Sequence, residues 1–170
     1  MKKYVFKPYR ESFPHLFEKE KKRIASHVKN NLTLEHIGST AVPHLGGKGI
    51  IDIGIAVRKE EMEAVSDQLQ QLGYEFRPSH STSDRYFLRA DLPDEEEGIR
   101  RYHVHLMHPT WREWKEMLFF RDYLRSHPDE VEIYAEIKRK AADAANEDGA
   151  KYRQQKDPLF KKVLKKMPIE

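Results

Sequence analysis

Between Glu35 and Val57 the chain reads EHIGSTAVPHLGGKGIIDIGIAV, which joins a Gly-Ser turn, a lysine in a glycine loop and one carboxylate on an apolar strand. Glycine lets a backbone approach a phosphate closely, and the amides and serine hydroxyl at such a turn can donate to its oxygens where a helix starts. Gly38 and Ser39 are therefore candidates to cradle a phosphate. Asp52 interrupts the apolar run Ile50 to Val57, where a carboxylate is unfavourable unless it meets a cation, a metal or several donors. A Gly-Ser turn alone is more often plain capping. Its pairing with Asp52 after twelve intervening residues turns the reading toward a site, with Asp52 and Ser39 as candidate catalytic residues. Lys48 would balance Asp52 or a ligand phosphate, or be a plain loop lysine.

A second set lies on the segment Tyr102 to Met107. The period of two places His103, His105 and Met107 on one face and Tyr102, Val104 and Leu106 on the other, which must be core. Imidazole is a poorer ligand for Mg²⁺ than carboxylate and suits Zn²⁺, Mn²⁺ or Ni²⁺ better, or donates to phosphate. The alternative is a pair of half-buried histidines hydrogen-bonded within the sheet. His36, just before the turn, either faces the same cleft or packs. Arg85, Arg89 and Arg101 flank the site; Arg89 and Arg101 are candidates for nucleotide binding, with surface pairing to Asp91 or Glu95 expected for at least one arginine.

The elements that must position these groups follow from periodicity. Tyr9 to Asn31 predicts a first helix, with Ser12 as N-cap and Pro14 in the first turn. Strands are expected at Thr33–Ile37 and Ile50–Val57, and a helix over Glu60–Leu72 ending at Gly73. Tyr74–Phe76, Arg85–Arg89 and Ile99–Met107 read as further strands, separated by the polar loop Arg77–Asp84 and an acidic turn from Leu92 to Gly98. Helices Trp111–Ser126, Asp129–Ala145 and Pro158–Met167 close the chain, with Trp111, Trp114 and Tyr134 expected in helix packing. A mixed or antiparallel central sheet flanked by helices, an α/β (α+β) fold with C-terminal helices, results.

The Gly-Ser turn followed by an aspartate on the next strand resembles the nucleotidyltransferase superfamily. The wording His36-Ile37-Gly38-Ser39-Thr40-Ala41-Val42-Pro43, with Gly47-Lys48, Ile50-Ile51-Asp52-Ile53, Tyr102-His103-Val104-His105-Leu106 and Phe120-Arg121-Asp122-Tyr123-Leu124-Arg125, is similar to the GrpB family of small bacterial proteins. The resemblance covers nearly the whole chain. It implies a nucleotidyltransferase-like fold and transfer of a nucleotidyl group from a nucleoside triphosphate to an unknown acceptor with a divalent metal, Mg²⁺, Mn²⁺ or Zn²⁺. By the same resemblance His103 and His105 stand roughly where the superfamily carries a third carboxylate, so that Asp52, His103 and His105 together make a candidate metal set. Tyr152 and Lys156 are similar to a Tyr and Lys preceding the last helix in this family, and would close over a nucleotide or belong to a solvated helix. One departure stands out: the superfamily's second acidic position is Gly54. Two carboxylates two residues apart on a strand would hold Mg²⁺ jointly, and Asp52 alone makes a poorer site. The alternatives are thus a catalytically inactive protein that binds a nucleotide or coenzyme A-related ligand, as suggested by likeness to a domain fused to dephospho-coenzyme A kinase, or a partner-binding scaffold.

Composition narrows the classes. The chain has 170 residues, enough for one domain spanning 1–170. No cysteine is present, which excludes disulfides, thiolate metal sites and cysteine nucleophiles. No run reaches the length of a membrane span and the N-terminus lacks the apolar core of a signal peptide, so a cytoplasmic protein without membrane contact is expected. The formal net charge is only +3, and the basic end Lys161–Lys166 reads first as the solvated face of a terminal helix, with anion or RNA contact as the alternative; a nucleotide or other phosphate-bearing small molecule is the expected partner.

Overall fold

Phe13, Phe17 and Ile24 recur at helical spacing and give α1 (Ser12–His27) a buried stripe. It is followed by β1 (Thr33–Ile37), a 3₁₀ turn (Ser39–Ala41), β2 (Ile51–Ala56), α2 (Met62–Gln71), β3 (Glu75–Phe76), β4 (Arg85–Asp94), β5 (Gly98–Met107), α3 (Arg112–Arg125) and α4 (Pro128–Ala145). This computed structural model describes residues 6–145 and 160–168, of which 160–164 are again helical. The five strands form one sheet in the order β1-β2-β5-β4-β3, antiparallel except for the central β2–β5 pair. The mixed α/β architecture expected from the sequence is therefore present.

Strand alternation divides the sheet into two unlike faces. Ile51, Ile53 and Ile55 of β2, Leu88 and Ala90 of β4, and Tyr102, Val104 and Leu106 of β5 all point to the face covered by α1 and α2, where they form the main core. The other face is covered only in part. Trp114 of α3 packs on Ala56 and Met107 at one end, while Phe120, Leu124, Tyr134 and Val163 bind α3, α4 and the last helical residues to Val42 and Leu45 of the loop after β1.

Polar groups buried on the covered face are fully engaged. Glu20 accepts hydrogen bonds from Arg23 and from the Tyr74 hydroxyl at 2.8 Å, and burial, then the Glu20 charge, pushes the Tyr74 phenol up. The Arg100 and Asp94 side chains, 2% and 1% exposed, pair at 3.0 and 3.1 Å. A further Arg100 nitrogen donates to the Gly49 carbonyl at 2.8 Å, and the guanidinium lies over the Phe13 ring. This strut ties the β4–β5 hairpin to the glycine loop 46–49, and so fixes the loop that faces the Gly-Ser turn.

Three local expectations change. Ser12 is the first helical residue rather than a cap: Glu11 occupies the cap position, and the Ser12 hydroxyl donates to Glu96 instead. The acidic turn is shorter than its composition suggests, because β4 runs on through Pro93 and Asp94. Proline is tolerated there since β3 reaches only Leu88 and Arg89, leaving the far end of β4 without a neighbour on that side. Trp111 is 40% exposed at the start of α3, whereas Trp114 is buried.

Candidate functional site

The Gly38-Ser39 turn and the Asp52 carboxylate touch. Gly38 has φ 76°, and a Cβ there would fall 2.5 Å from Asp52 Oδ2, so only glycine permits this approach. The 3₁₀ segment that the turn opens is three residues long, too short for a useful helix dipole. What the turn offers is close access, a hydroxyl, and a cation that the sequence reading missed. A Cβ on Gly47 would lie 2.8 Å from Ser39 Oγ and 3.1 Å from Lys138 Nζ, which places this buried α4 ammonium beside the turn. Lys138 falls on the buried stripe of α4 after Val131 and Tyr134 and before Ala141 and Ala142. A lysine in that register was the available signal.

Across the uncovered face, register sets one transverse row. Ile37 pairs with Asp52, Asp52 with His103, His103 with Arg89, and Arg89 with Glu75. Carboxylate, imidazole and guanidinium thus stand on adjacent strands, spaced by about 4.8 Å per strand. In the next row His105 pairs with Gly54 and Phe87, and the Phe87 ring meets His103 and His105 edge-on at 4.8 and 5.4 Å. His105 Nε2 lies 3.2 Å, and His103 Nδ1 3.5 Å, from the same Asp52 oxygen. Burial alone would raise the Asp52 carboxyl. Hydrogen bonds from both histidines outweigh it and hold the group well below the usual carboxylate range. The second ring nitrogen of His105 is buried and has no hydrogen-bond partner.

The expected metal set is therefore drawn together, but as hydrogen-bonding partners. Among the described residues no group of three His, Asp or Glu is arranged to hold a metal ion. The missing second carboxylate is a matter of space as well as sequence: a Cβ on Gly54 would stand 2.9 Å from Cζ3 of Trp114, whose indole fills that seat. A paired-carboxylate Mg²⁺ site does not fit.

The other candidates divide. Lys48 is half-buried in the glycine loop. Arg101 lies on the uncovered face and forms a two-pronged pair with Asp91 at 2.9 and 3.1 Å. Arg85 pairs with Glu113 at 3.0 Å. Arg89 is in the row itself. Tyr152 and Lys156 lie outside the described residues. His36 belongs to the covered face: it stacks on Phe17 at 4.8 Å, meets the Thr40 hydroxyl at 2.9 Å, and burial lowers its pKa to about 4. It packs, and does not enter the cleft.

A cleft of about 280 Å³ beside β1 is distinct from this face and is bordered by Phe17, Glu35, Arg121 and Arg125. Its arginines are committed. Arg121 donates to Glu35 at 2.6 Å and to the His36 carbonyl at 3.1 Å, and Arg125 donates to the Ala41 carbonyl at 2.9 Å. These bonds anchor α3 on the outer edge of β1 and on the Gly-Ser turn, a structural use of the FRDYLR segment.

With this geometry in view, comparison places the chain among known proteins. Residues 3–166 match the family described as GrpB protein. A UPF0157 protein of Pseudomonas aeruginosa is 36% identical over 134 residues, covering 78% of this chain and 54% of the relative. UPF0157 protein YqkA of Bacillus subtilis is 32% identical, covering 90% and 44%. The chain thus spans about half the length of these two curated relatives. A protein named dephospho-CoA kinase in Mycobacterium leprae is 32% identical over 167 residues, 81% of this chain and 40% of that protein. The crystal structure of the conserved protein GrpB from Enterococcus faecalis superposes with a TM-score of 0.81 at 30% identity over 95% of each chain. The arrangement agrees with the nucleotidyltransferase-like fold that the sequence suggests, and this chain belongs to the GrpB family.

Proposed function

We propose that the protein binds a phosphate-bearing small molecule, a nucleotide or a coenzyme A-related ligand, on the uncovered sheet face without a paired-carboxylate cation. The observation that carries this is the meeting of Gly38, Ser39 and the Lys138 ammonium beside Asp52, together with Trp114 in the seat that a second carboxylate would need. Phosphate oxygens accept from the Ser39 hydroxyl, the turn's amides and lysine, while Phe87 offers an apolar edge to the rest of the ligand. The dephospho-CoA kinase relative supports including coenzyme A precursors among the ligands to be tried.

Nucleotidyl transfer is a second reading, favoured by the ionised Asp52 next to one nitrogen of His103. A carboxylate in that position orients the imidazole so that its other nitrogen can accept a proton. An acceptor hydroxyl would then attack the α-phosphorus, its proton passing to His103 as the new P–O bond forms and the bond to the leaving pyrophosphate breaks.

The test is calorimetric titration with ATP, ADP, coenzyme A and dephospho-coenzyme A, using the intact chain and Gly38→Ala. Binding of at least one ligand, weakened tenfold or more by the substitution, is expected. No binding of any ligand overturns the proposal and favours a scaffold that contacts other proteins.

A further inference from the structure

Arg89 stands apart from the other described arginines. Each of those makes at least one hydrogen bond or ion pair, whether buried like Arg100 and Arg121 or exposed like Arg58 and Arg112. The rest follow the same pattern. Arg89 makes none, although it is half-buried in the middle of the row on the uncovered face. A guanidinium carries five donors in a fixed fork, and withdrawing it partly from water without an acceptor is unfavourable.

Its neighbours explain why the fork is open. Glu75, its partner on β3, is taken by Arg77 at 2.8 Å. Asp91, two residues along β4, is taken by both prongs of Arg101 and feels Arg89 only as a nearby charge. On the remaining side stands His103, whose Nδ1 is turned toward Asp52, so that its other nitrogen faces away from that carboxylate. The carboxylates of Glu75 and Asp91 are thus satisfied by other cations, and what stands beside Arg89 is an imidazole and the open face.

We propose that Arg89, with His103, forms a second anion subsite, and that the natural ligand carries two separated phosphoryl groups. One binds at the Gly38-Ser39 turn beside Lys138, and the other binds at Arg89, which lies two strand spacings or about 10 Å across the sheet from Asp52, the residue that the turn touches. This rests on the ligand-binding reading above and narrows it. A ligand with a single phosphate fills half the site. An extended polyphosphate tail and a nucleotide phosphorylated at two positions both supply the required chemistry, and they are separated by the choice of probe.

The experiment is calorimetric titration of the full chain with four probes: inorganic phosphate against tripolyphosphate, and AMP against adenosine 3′,5′-bisphosphate. The same titrations are run on Arg89→Gln, Arg89→Lys and Gly38→Ala, each checked for an unchanged fold by circular dichroism. At least one two-phosphate probe is expected to bind tenfold or more tighter than its one-phosphate counterpart. Which probe does so identifies the polyphosphate or the bisphosphorylated class. Arg89→Gln should abolish that gain while leaving phosphate or AMP affinity within twofold, and Arg89→Lys should restore part of it. The inference is overturned if Arg89→Gln keeps the full gain, or if neither two-phosphate probe exceeds its counterpart. Failure of the underlying reading shows separately, as phosphate or AMP binding that Gly38→Ala does not weaken. Absence of binding by all four probes overturns both.

Discussion

Arg100 and Arg89 stand on the two faces of one sheet and are treated in opposite ways. Arg100 is buried with Asp94, donates to the Gly49 carbonyl and lies over Phe13, so its donors hold the hairpin to the glycine loop. Arg89 is only half-buried and makes no hydrogen bond or ion pair among the described residues. The histidines divide along the same line. His36 on the covered face is stacked and bonded to Thr40, whereas His105 on the uncovered face has one buried nitrogen without a partner. Polar groups that serve the fold are satisfied inside it, and the groups left incomplete are those to which the proposed ligand is assigned.

The largest effect should come from breaking the satisfied side. Arg100→Ala leaves Asp94 buried without its cation, and loss of about 3–5 kcal/mol of stability is expected in denaturant melts. A change below about 1 kcal/mol would show that the strut does not carry the hairpin.

His36 gives a pH-dependent effect of similar size. Its folded pKa is lowered from 6.5 to about 4, so as the pH falls the unfolded chain takes up the proton first. Its share of stability is intact above about 6.5 and is lost between 6.5 and about 4, on the order of 3 kcal/mol in full. Unfolding free energy measured across that range should fall with acid in the natural sequence and flatten in His36→Gln. Equal slopes in both would remove His36 from the account.

Gly54→Asp tests the occupied seat. The added side chain meets the Trp114 indole, and overpacking should cost about 1–3 kcal/mol without gain of Mg²⁺-dependent nucleotide binding. A stable variant that acquired such binding would mean that the cleft retains room for a second carboxylate. The smallest effect on stability is expected at Arg89, where Arg89→Gln should change it by less than about 0.5 kcal/mol, in contrast to Arg100→Ala. Destabilisation as large as that of Arg100→Ala would erase the distinction between the two faces.

Much of this arrangement is legible in the sequence, for reasons that are local. Alternation from Tyr102 to Met107 gives the two faces of β5, and Thr33–Ile37 has the strand bounds found. The Gly-Ser turn and Asp52 could be placed together because the turn directly follows β1, which is close in sequence to β2 and pairs with it. Lys138 was hidden by its distance along the chain, about a hundred residues from Ser39, and only tertiary packing of α4 brings it there. The occupied seat at Gly54 was hidden for the same reason: the sequence shows a missing carboxylate but not the Trp114 ring in its place. His36 was misleading because its neighbourhood in sequence is the site, while its face of β1 is the core. Arg85, Arg89 and Arg101 look alike as strand arginines. Only their pairing partners tell them apart, and those are set by cross-strand register.

Whether binding needs a cation is decided by titrating whichever ligand binds best, among ATP, ADP, coenzyme A and dephospho-coenzyme A, into the intact protein in EDTA and again in excess Mg²⁺. Binding in EDTA is expected, with an affinity within about threefold of that in Mg²⁺, since Trp114 fills the seat that a paired-carboxylate cation site requires. Binding that disappears in EDTA and returns with Mg²⁺ would contradict that expectation.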